Sequence, residues 1–194
     1  MALYAARWER SLKVSTALFV VLSAAGAAVT AFAARRPETP DVGLPALLFA
    51  ALPVFIVATA VAVWALAPSG FEIEAALIRV ERPLLPIEIP LREVREVELL
   101  APGALAGAIR LLGTSGAFGH YGRFRSRSLG KFRMYATRGD GLVRVTTDRD
   151  TFVLSPDPAE PFVEEVLSRA ARARRVRPGS RFASRPPGAR SPRA

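Results

Sequence analysis

The sequence predicts an α+β protein in which an N-terminal two-helix transmembrane hairpin precedes an antiparallel β-barrel or sandwich capped by a C-terminal α-helix. Three patterns support this prediction. Residues 14–34 and 44–67 contain no charged side chain, short segments of alternating apolar and polar residues follow them, and an amphipathic stretch with a helix-start signal comes last. Apolar runs of about 20 residues span bilayers as helices, whereas alternation with a period of two indicates strands.

The composition excludes several classes of protein. The chain has 194 residues, no cysteine and a formal net charge of +10. Without cysteine it cannot be a disulfide scaffold, and it cannot hold a metal or a redox centre through thiolates. The charge asymmetry between apolar and polar segments indicates a membrane protein with a soluble domain.

The two apolar segments predict a helical hairpin. A basic N-terminal flank (residues 1–13) precedes the first helix (14–34), a loop with two prolines (35–43) follows, and the second helix covers residues 44–67. Backbone groups in lipid must pair within the segment, so each segment is expected to be helical. Neither span carries an ionisable side chain, which favours an anchor over a transporter or channel.

The basic residues around the spans predict the orientation. The N-terminal flank carries three basic residues, the loop two, and the chain ends in an arginine-rich stretch. Because cytoplasmic segments are enriched in Lys and Arg, we expect a multi-pass protein of the cytoplasmic membrane with both termini in the cytoplasm. The alternative is a cleaved signal peptide, since residues 31–33 (AFA) fit a small-x-small cleavage site.

Residues 68–176 are predicted to form a domain of short antiparallel strands. Pro90 is expected at an edge strand or at a strand end, and a change of phase at Val94 indicates a turn or bulge. Turns are expected at residues 128–130, 139–141 and 148–150. The predicted strands are residues 71–74, 77–82, 87–91, a segment containing Val97 and Leu99, 109–112, 123–127, 131–137, 142–147 and 151–155.

A helix is predicted to close this domain. Asp157, Pro158 and Glu160 form a helix-start signal, with a capping carboxylate, a proline at the first turn and an acidic residue three positions after the Asp. One apolar stripe follows, and it is expected to pack against the sheet. The stripe consists of Phe162, Val163, Val166, Leu167 and Ala170.

The order of strands and one final helix resembles a pleckstrin-homology (PH) domain. More specifically, residues 116–124 (GAFGHYGRF), 129–137 (LGKFRMYAT) and 154–157 (LSPD) with Phe162 resemble the bacterial PH-like domain family, which often follows paired transmembrane helices. Residues 87–91 (IEIPL) fit as well. The chain is thus similar to a membrane-anchored member of that family over about residues 71–170.

The resemblance implies a seven-stranded barrel with a C-terminal helix, no catalytic residue and no cofactor. It does not imply phosphoinositide binding. Eukaryotic PH domains that bind these lipids carry Lys and Arg between their first two strands, whereas this chain has Glu74, Ala75 and Ala76 there. A short acidic loop cannot hold a multiply charged phosphate headgroup.

A basic patch is the candidate binding site within the domain. Like charges close together on paired strands repel, so their concentration here favours an anionic lipid or an acidic protein as partner, although the preference for Arg over Lys throughout the chain could produce such a run without function. The patch consists of Arg123, Arg125, Arg127, Lys131 and Arg133.

The C-terminal segment is predicted to be an Arg- and Pro-rich disordered tail, residues 177–194, since its composition cannot build a core. Its basic residues are either solvated or contact anionic lipid at the membrane surface. The candidates for this contact begin before the tail and are Arg172, Arg174, Arg175 and Arg177.

Two features that might suggest chemistry are interpreted as structural. His120 has no neighbouring ligand or nucleophile in sequence, so we expect a loop histidine with a satisfied ring and no metal site. The glycines at positions 113, 116, 119 and 122 lack the Lys-Ser/Thr ending of a P-loop, and a close-packed turn is the better interpretation.

These observations predict a non-catalytic binding or scaffolding module at the cytoplasmic face of the membrane. Membrane lipids, including anionic headgroups, and an unidentified protein are the expected partners, and no nucleic acid is expected. The alternative is an accessory or regulatory subunit of a membrane assembly that makes its contacts through the transmembrane hairpin.

Overall fold

The computed structural model describes residues 2–34 and 44–175, and their side chains outside residues 33–50. These residues form two apolar helices, two β-sheets and a C-terminal helix. The elements in chain order are β1 (Ala2–Ala5), α1 (Arg10–Ala34), α2 (Leu44–Ala65), β2 (Gly70–Ile73), β3 (Leu77–Glu81), β4 (Ile87–Pro90), a 3-10 helix (Leu91–Glu93), β5 (Val94–Leu99), β6 (Ile109–Ser115), β7 (His120–Ser126), β8 (Gly130–Ala136), β9 (Val143–Thr147), β10 (Thr151–Leu154) and α3 (Ala159–Arg175).

Helices α1 and α2 pack against each other. A Cβ built on Gly26 would lie 3.6 Å from Ile56 Cδ1, so a small residue on α1 allows the two helices to approach closely. By length and composition, residues 10–32 of α1 are able to cross a membrane. In the part of α2 whose side chains are described, Ala51–Ala65 is apolar and shorter than a span.

The first sheet contains a strand that the sequence analysis missed. Its order is β1-β2-β3-β4, with each neighbouring pair antiparallel. β1 comes from the predicted N-terminal flank, and residues Ala2–Ala5 are too few to show an alternating pattern. The helical pair α1–α2 therefore emerges between two neighbouring strands of a single sheet.

The second sheet has the order β5-β9-β10-β8-β7-β6 and corrects the expectation of purely antiparallel pairing. β10 pairs with β8 in parallel and with β9 antiparallel. This follows from the chain path, because β9 reverses direction after β8 and β10 returns between them. The resemblance implied a seven-stranded barrel, whereas the described residues form sheets of four and six strands.

The region around Pro90 is as predicted. Pro90 is the last residue of β4, which lies at an edge of the first sheet. The 3-10 helix Leu91–Glu93 then changes the direction of the chain and produces the phase shift at Val94. A proline without an N–H donor is tolerated there because no further strand needs that hydrogen bond.

Helix α3 begins close to the predicted signal and packs on β5 and the 3-10 helix. Phe162, Val166 and Ala170 are buried as predicted. Leu167 was assigned to the same stripe, and this was wrong, since its side chain is 48% exposed. It follows Val166 by about 100° around the helix and so points away from the sheet.

Apolar residues form two clusters on opposite faces of the second sheet. The larger lies between the sheets and includes Phe71, Val145 and Phe162. The smaller contains Phe124 and Phe132, whose rings stack with centroids 5.9 Å apart. Both rings are buried, so they anchor β7 and β8 in the core.

Candidate functional site

The basic residues of β7 and β8 share one face of the second sheet. Arg123 pairs with Arg133, and Arg125 pairs with Lys131, across the antiparallel ladder. Directly opposite residues point to the same face, away from the Phe124–Phe132 pair. Two pairs of like charges stand side by side, an arrangement that costs stability rather than adding to it.

Arg127 does not belong to this face. The sequence placed it on a strand with Arg123 and Arg125, but β7 ends at Ser126 and Arg127 lies in the following turn. Ser126 causes the early end, because its side-chain oxygen accepts a hydrogen bond from the Leu129 N–H at 3.0 Å and closes the turn.

The cations of this face are not balanced by carboxylates. Arg133 forms an ion pair with Asp150 at 3.1 Å and also lies over the Phe152 ring, with 5.8 Å between its guanidinium carbon and the ring centroid. In residues 2–34 and 44–175, neither Arg123, Arg125 nor Lys131 has a carboxylate partner. The face therefore carries a net positive charge.

Arg82 joins this group from the other sheet, and sequence reasoning missed it. Its guanidinium carbon lies 5.6 Å from the centroid of the Tyr135 ring, and its Nε donates to the Leu85 carbonyl at 2.8 Å. No motif marks Arg82, which directly follows β3 and is distant in sequence from β7 and β8. Its packing on Tyr135 is visible only in the tertiary structure.

Arg82, Arg123 and Arg133 line a cavity of about 290 Å³. A second cavity of about 370 Å³ continues along β7 and β8 toward Lys131 and shares Leu112, Arg123 and Arg133 with the first. We call the first cavity the basic cleft and define it by its three arginines, Arg82, Arg123 and Arg133, and its apolar walls, Leu66, Leu112, Tyr121 and Tyr135.

The basic cleft lies beside the end of α2. The Tyr121 hydroxyl donates to the Val63 carbonyl, and the Leu84 N–H donates to the Ala65 carbonyl at 2.8 Å. Burial raises the pKa of Tyr121 to about 12, so the phenol keeps its proton and remains a donor at neutral pH. These contacts hold the domain against the last turn of α2.

The turn between β6 and β7 contacts the beginning of α1. Phe118 packs edge-on against Trp8 and Phe19, each with ring centroids 6.2 Å apart. Its N–H donates to the Thr16 hydroxyl at 2.8 Å. Aromatic edge-to-face contacts and a buried hydrogen bond fix this turn on the helix, so the helices and the domain form one packed unit.

Glycines allow β6 and β7 to approach closely next to the cleft. Gly113 and Gly122 are paired across the two strands with φ values of +118° and +124°. A Cβ on either glycine would lie 2.1 Å from a carbonyl oxygen of the opposite strand. Gly113 and Gly122 thus form a close-packed strand pair, which sets Leu112 beside Arg123, whereas Gly116 and Gly119 lie in the turn between the two strands.

The His120 ring has a hydrogen-bond partner, as expected, but His120 is the first residue of β7 and not a loop residue. Its Nδ1 lies 2.7 Å from the Ser115 hydroxyl across the β6–β7 pair. Burial lowers the pKa of the His120 imidazole, and the negative charge of the Glu9 carboxylate partly offsets this decrease. Within the described part of the chain, no three His, Asp or Glu side chains come together to form a metal site.

Three of the four candidate tail residues lie on a helix. Arg172, Arg174 and Arg175 form the last turn of α3, and Arg174 donates to the Val94 carbonyl of β5. Arg177 lies outside the described residues. The prediction that these arginines contact anionic lipid stays a prediction; in the structure, three of them lie where cations interact favourably with the C-terminal end of the helix dipole.

Truncation after Arg175 is expected to leave the free energy of unfolding unchanged, whereas truncation after Ala171 should lower it by roughly 1–2 kcal/mol. The longer deletion removes Ala173, which packs against the core, and the contact of Arg174 with β5. Urea unfolding of both truncated chains in the same detergent measures the difference. Equal stability of the two would show that the last turn of α3 contributes nothing.

Comparison with known protein families matches residues 70–170 to a family described as bacterial PH domain. The match begins at the first residue of β2, ends in α3, and includes all three arginines of the basic cleft. No curated protein and no solved structure matches the chain. Because the family match covers more than half of the 194 residues, the chain belongs to the bacterial PH domain family.

Proposed function

We propose that this protein is a non-catalytic binding module that its helical hairpin anchors in the cytoplasmic membrane, with the PH domain on the cytoplasmic face. The observation that carries the proposal is the pairing of β1 with β2 on either side of the hairpin. A domain whose sheet is closed around the base of its own anchor stays at a fixed distance from the bilayer.

The strand pairing supports two crossings of the membrane. β1 precedes α1 and β2 follows α2, yet Tyr4 of β1 lies opposite Phe71 of β2. Two paired strands must lie on the same side of a membrane, so the segment between them crosses an even number of times. With α1 long and apolar enough to span, the proposal requires α2 to return.

The same pairing supports retention of the first helix. Cleavage after Ala33 would remove β1 and all of α1 except its last residue. Leu12 is buried to 3% exposure, and the Tyr4 ring packs edge-on against Phe162 with centroids 5.1 Å apart. A mature chain without these residues would expose the core of its own PH domain.

Aromatic residues at the base of the hairpin support this placement of the bilayer. Trp8 precedes α1, Trp64 lies in the last turn of α2 and is 50% exposed, and Tyr121 bonds to the same turn. Trp and Tyr concentrate at the interface between lipid and water. The basic residues of the flank favour the cytoplasmic side for this end.

The PH fold supports a binding role without catalysis, and the unbalanced cations of β7 and β8 support an anionic partner. Arg125 and Lys131 stand opposite each other without carboxylates among the described residues. A surface that keeps repelling charges together is suited to a ligand that neutralises them. Acidic protein surfaces and anionic lipid headgroups both have that chemistry.

Topology is tested by thiol labelling, which the absence of native cysteine makes direct. We expect Leu3→Cys, in β1, and Asp140→Cys, in an exposed turn, to react with an impermeant maleimide only when the cytoplasmic side is open. Thr39→Cys, between the helices, should react from the opposite side. The intact mass should include residue 2.

The matched comparison is between Leu3 and Asp140, which flank the hairpin in sequence and lie in the same domain. Opposite labelling of these two variants would contradict the β1–β2 pairing across the membrane. An intact mass that corresponds to a chain beginning at residue 34 would contradict retention of the first helix as an anchor. Labelling of all three variants from one side would contradict the double crossing of the membrane.

A further inference from the structure

We propose that the basic cleft binds the phosphate group of an anionic phospholipid from the membrane leaflet that the hairpin enters. This inference rests on the proposed function, because the cleft reaches lipid only if α1 and α2 span the bilayer. It assigns a ligand and a site to the PH domain. The site lies between the Arg82 end of β3 and the β6–β8 face, away from the loop that joins β2 and β3.

The arginines of the cleft have the chemistry for a single phosphate. Arg82 lies over the Tyr135 ring and donates to the Leu85 and Leu66 carbonyls. Arg133 lies over the Phe152 ring and is paired with Asp150, so the guanidinium groups of both arginines are oriented. Arg123 has no carboxylate partner within the described residues. Guanidinium groups bind phosphate oxygens through paired N–H donors, and a positioned group loses little entropy on binding.

The apolar walls indicate an amphiphilic ligand rather than a free anion. Leu66 and Leu112 line the same cavity as the three arginines, and Leu112 is 69% exposed. Leu84 and Leu85, next to Arg82 in sequence, are 54% and 63% exposed. Exposed leucines beside cations suit a surface that meets both the headgroups and the first carbons of the acyl chains.

The position of the cleft places these groups at headgroup depth. Leu66 directly follows the last residue of α2, and Arg82 also donates to its carbonyl at 3.4 Å. Leu66 is one wall of the basic cleft, so the cleft begins where α2 leaves the hydrocarbon core. A lipid can therefore place its phosphate between the arginines without leaving the leaflet, so its chains remain in the hydrocarbon.

The experiment measures lipid binding to the full-length chain in detergent by native mass spectrometry, with phosphatidylglycerol and phosphatidylcholine as probes. We expect selective retention of phosphatidylglycerol. Arg123→Glu should weaken it by at least about tenfold, because a hydrogen bond to a charged group contributes that much to affinity. Leu112→Ser should also weaken it.

The matched control is Arg110→Glu. Arg110 is exposed on β6 opposite Phe124, so it lies on the other face of the sheet, and its substitution changes the net charge by the same amount. We expect this variant to retain lipid as the wild type does. Equal loss in both variants would show general attraction to charge and would overturn the site. Thermal midpoints confirm that each variant is folded.

Two further measurements distinguish a lipid ligand from a soluble phosphate, and failure of this site from failure of the proposed function. Millimolar inorganic phosphate should not displace phosphatidylglycerol, since it lacks the apolar part. Displacement by phosphate, or an unchanged affinity in Leu112→Ser, would overturn the lipid assignment. If labelling confirms the topology but Arg123→Glu binds lipid normally, the site fails while the anchored module stands.

Discussion

Phe162→Ala is expected to lower the free energy of unfolding by about 3–5 kcal/mol, since a large buried ring leaves a cavity that the core cannot fill. Phe162 is fully buried in the larger cluster, where it meets the rings of Tyr4 and Phe71 edge-on. It thus connects α3 to both β1 and β2. Its loss should loosen the sheet at the base of the hairpin.

Leu167→Ala is the matched control for this substitution. It removes an apolar side chain from the same helix, but Leu167 is 48% exposed, so the loss should be within about 1 kcal/mol. Urea unfolding in one detergent, followed by circular dichroism, compares the two variants with the wild type. Equal destabilisation would mean that α3 is not held to the sheet by the face described above.

The sequence predicted the domain well because its strands obey a simple period. Residues 123–126 of β7 and 131–134 of β8 alternate between surface and core, so the burial of Phe124 and Phe132 and the shared face of Arg123 and Arg133 follow from counting by two. The turn signals located the strand ends to within a few residues. The C-terminal helix followed from its start signal and one apolar stripe.

The missed features depend on contacts between distant parts of the chain. Nothing in Ala2–Ala5 distinguishes a strand from a flexible flank, and it is a strand because the β2 edge is available beside it. The parallel pairing of β10 with β8 likewise depends on which gap in the sheet β10 fills. Local patterns do not contain this information.

The candidate site was predicted only in part, because it too depends on contacts between distant parts of the chain. The cations of β7 and β8 were visible in the sequence. The basic cleft also needs Arg82, which follows β3 of the other sheet, and Leu66, which follows α2. Arg127 was included because a strand was extended through Ser126, whose side chain in fact closes the turn. Side-chain to backbone hydrogen bonds end strands without changing the apolar pattern.

Gly122→Ala is expected to cost roughly 3 kcal/mol or more, because it combines the strain of an unfavourable backbone conformation with overpacking. The φ of Gly122 is +124°, and an added Cβ would lie 2.1 Å from the Leu112 carbonyl oxygen and 2.8 Å from Gly113 Cα. Both are backbone atoms, so β6 must move away from β7. That movement separates Leu112 from Arg123 and opens the basic cleft.

Gly116→Ala separates the two contributions. Gly116 has a similar φ of +112°, but a Cβ there meets no atom within 4 Å, so this variant carries the conformational cost without the clash. We expect it to be destabilised by about 1–3 kcal/mol and Gly122→Ala by more, with both measured by urea unfolding. Because Gly122→Ala moves one wall of the cleft, it should also weaken retention of phosphatidylglycerol under conditions where it is still folded, whereas Gly116→Ala should not. Equal stability of the two variants would contradict the close approach of β6 and β7.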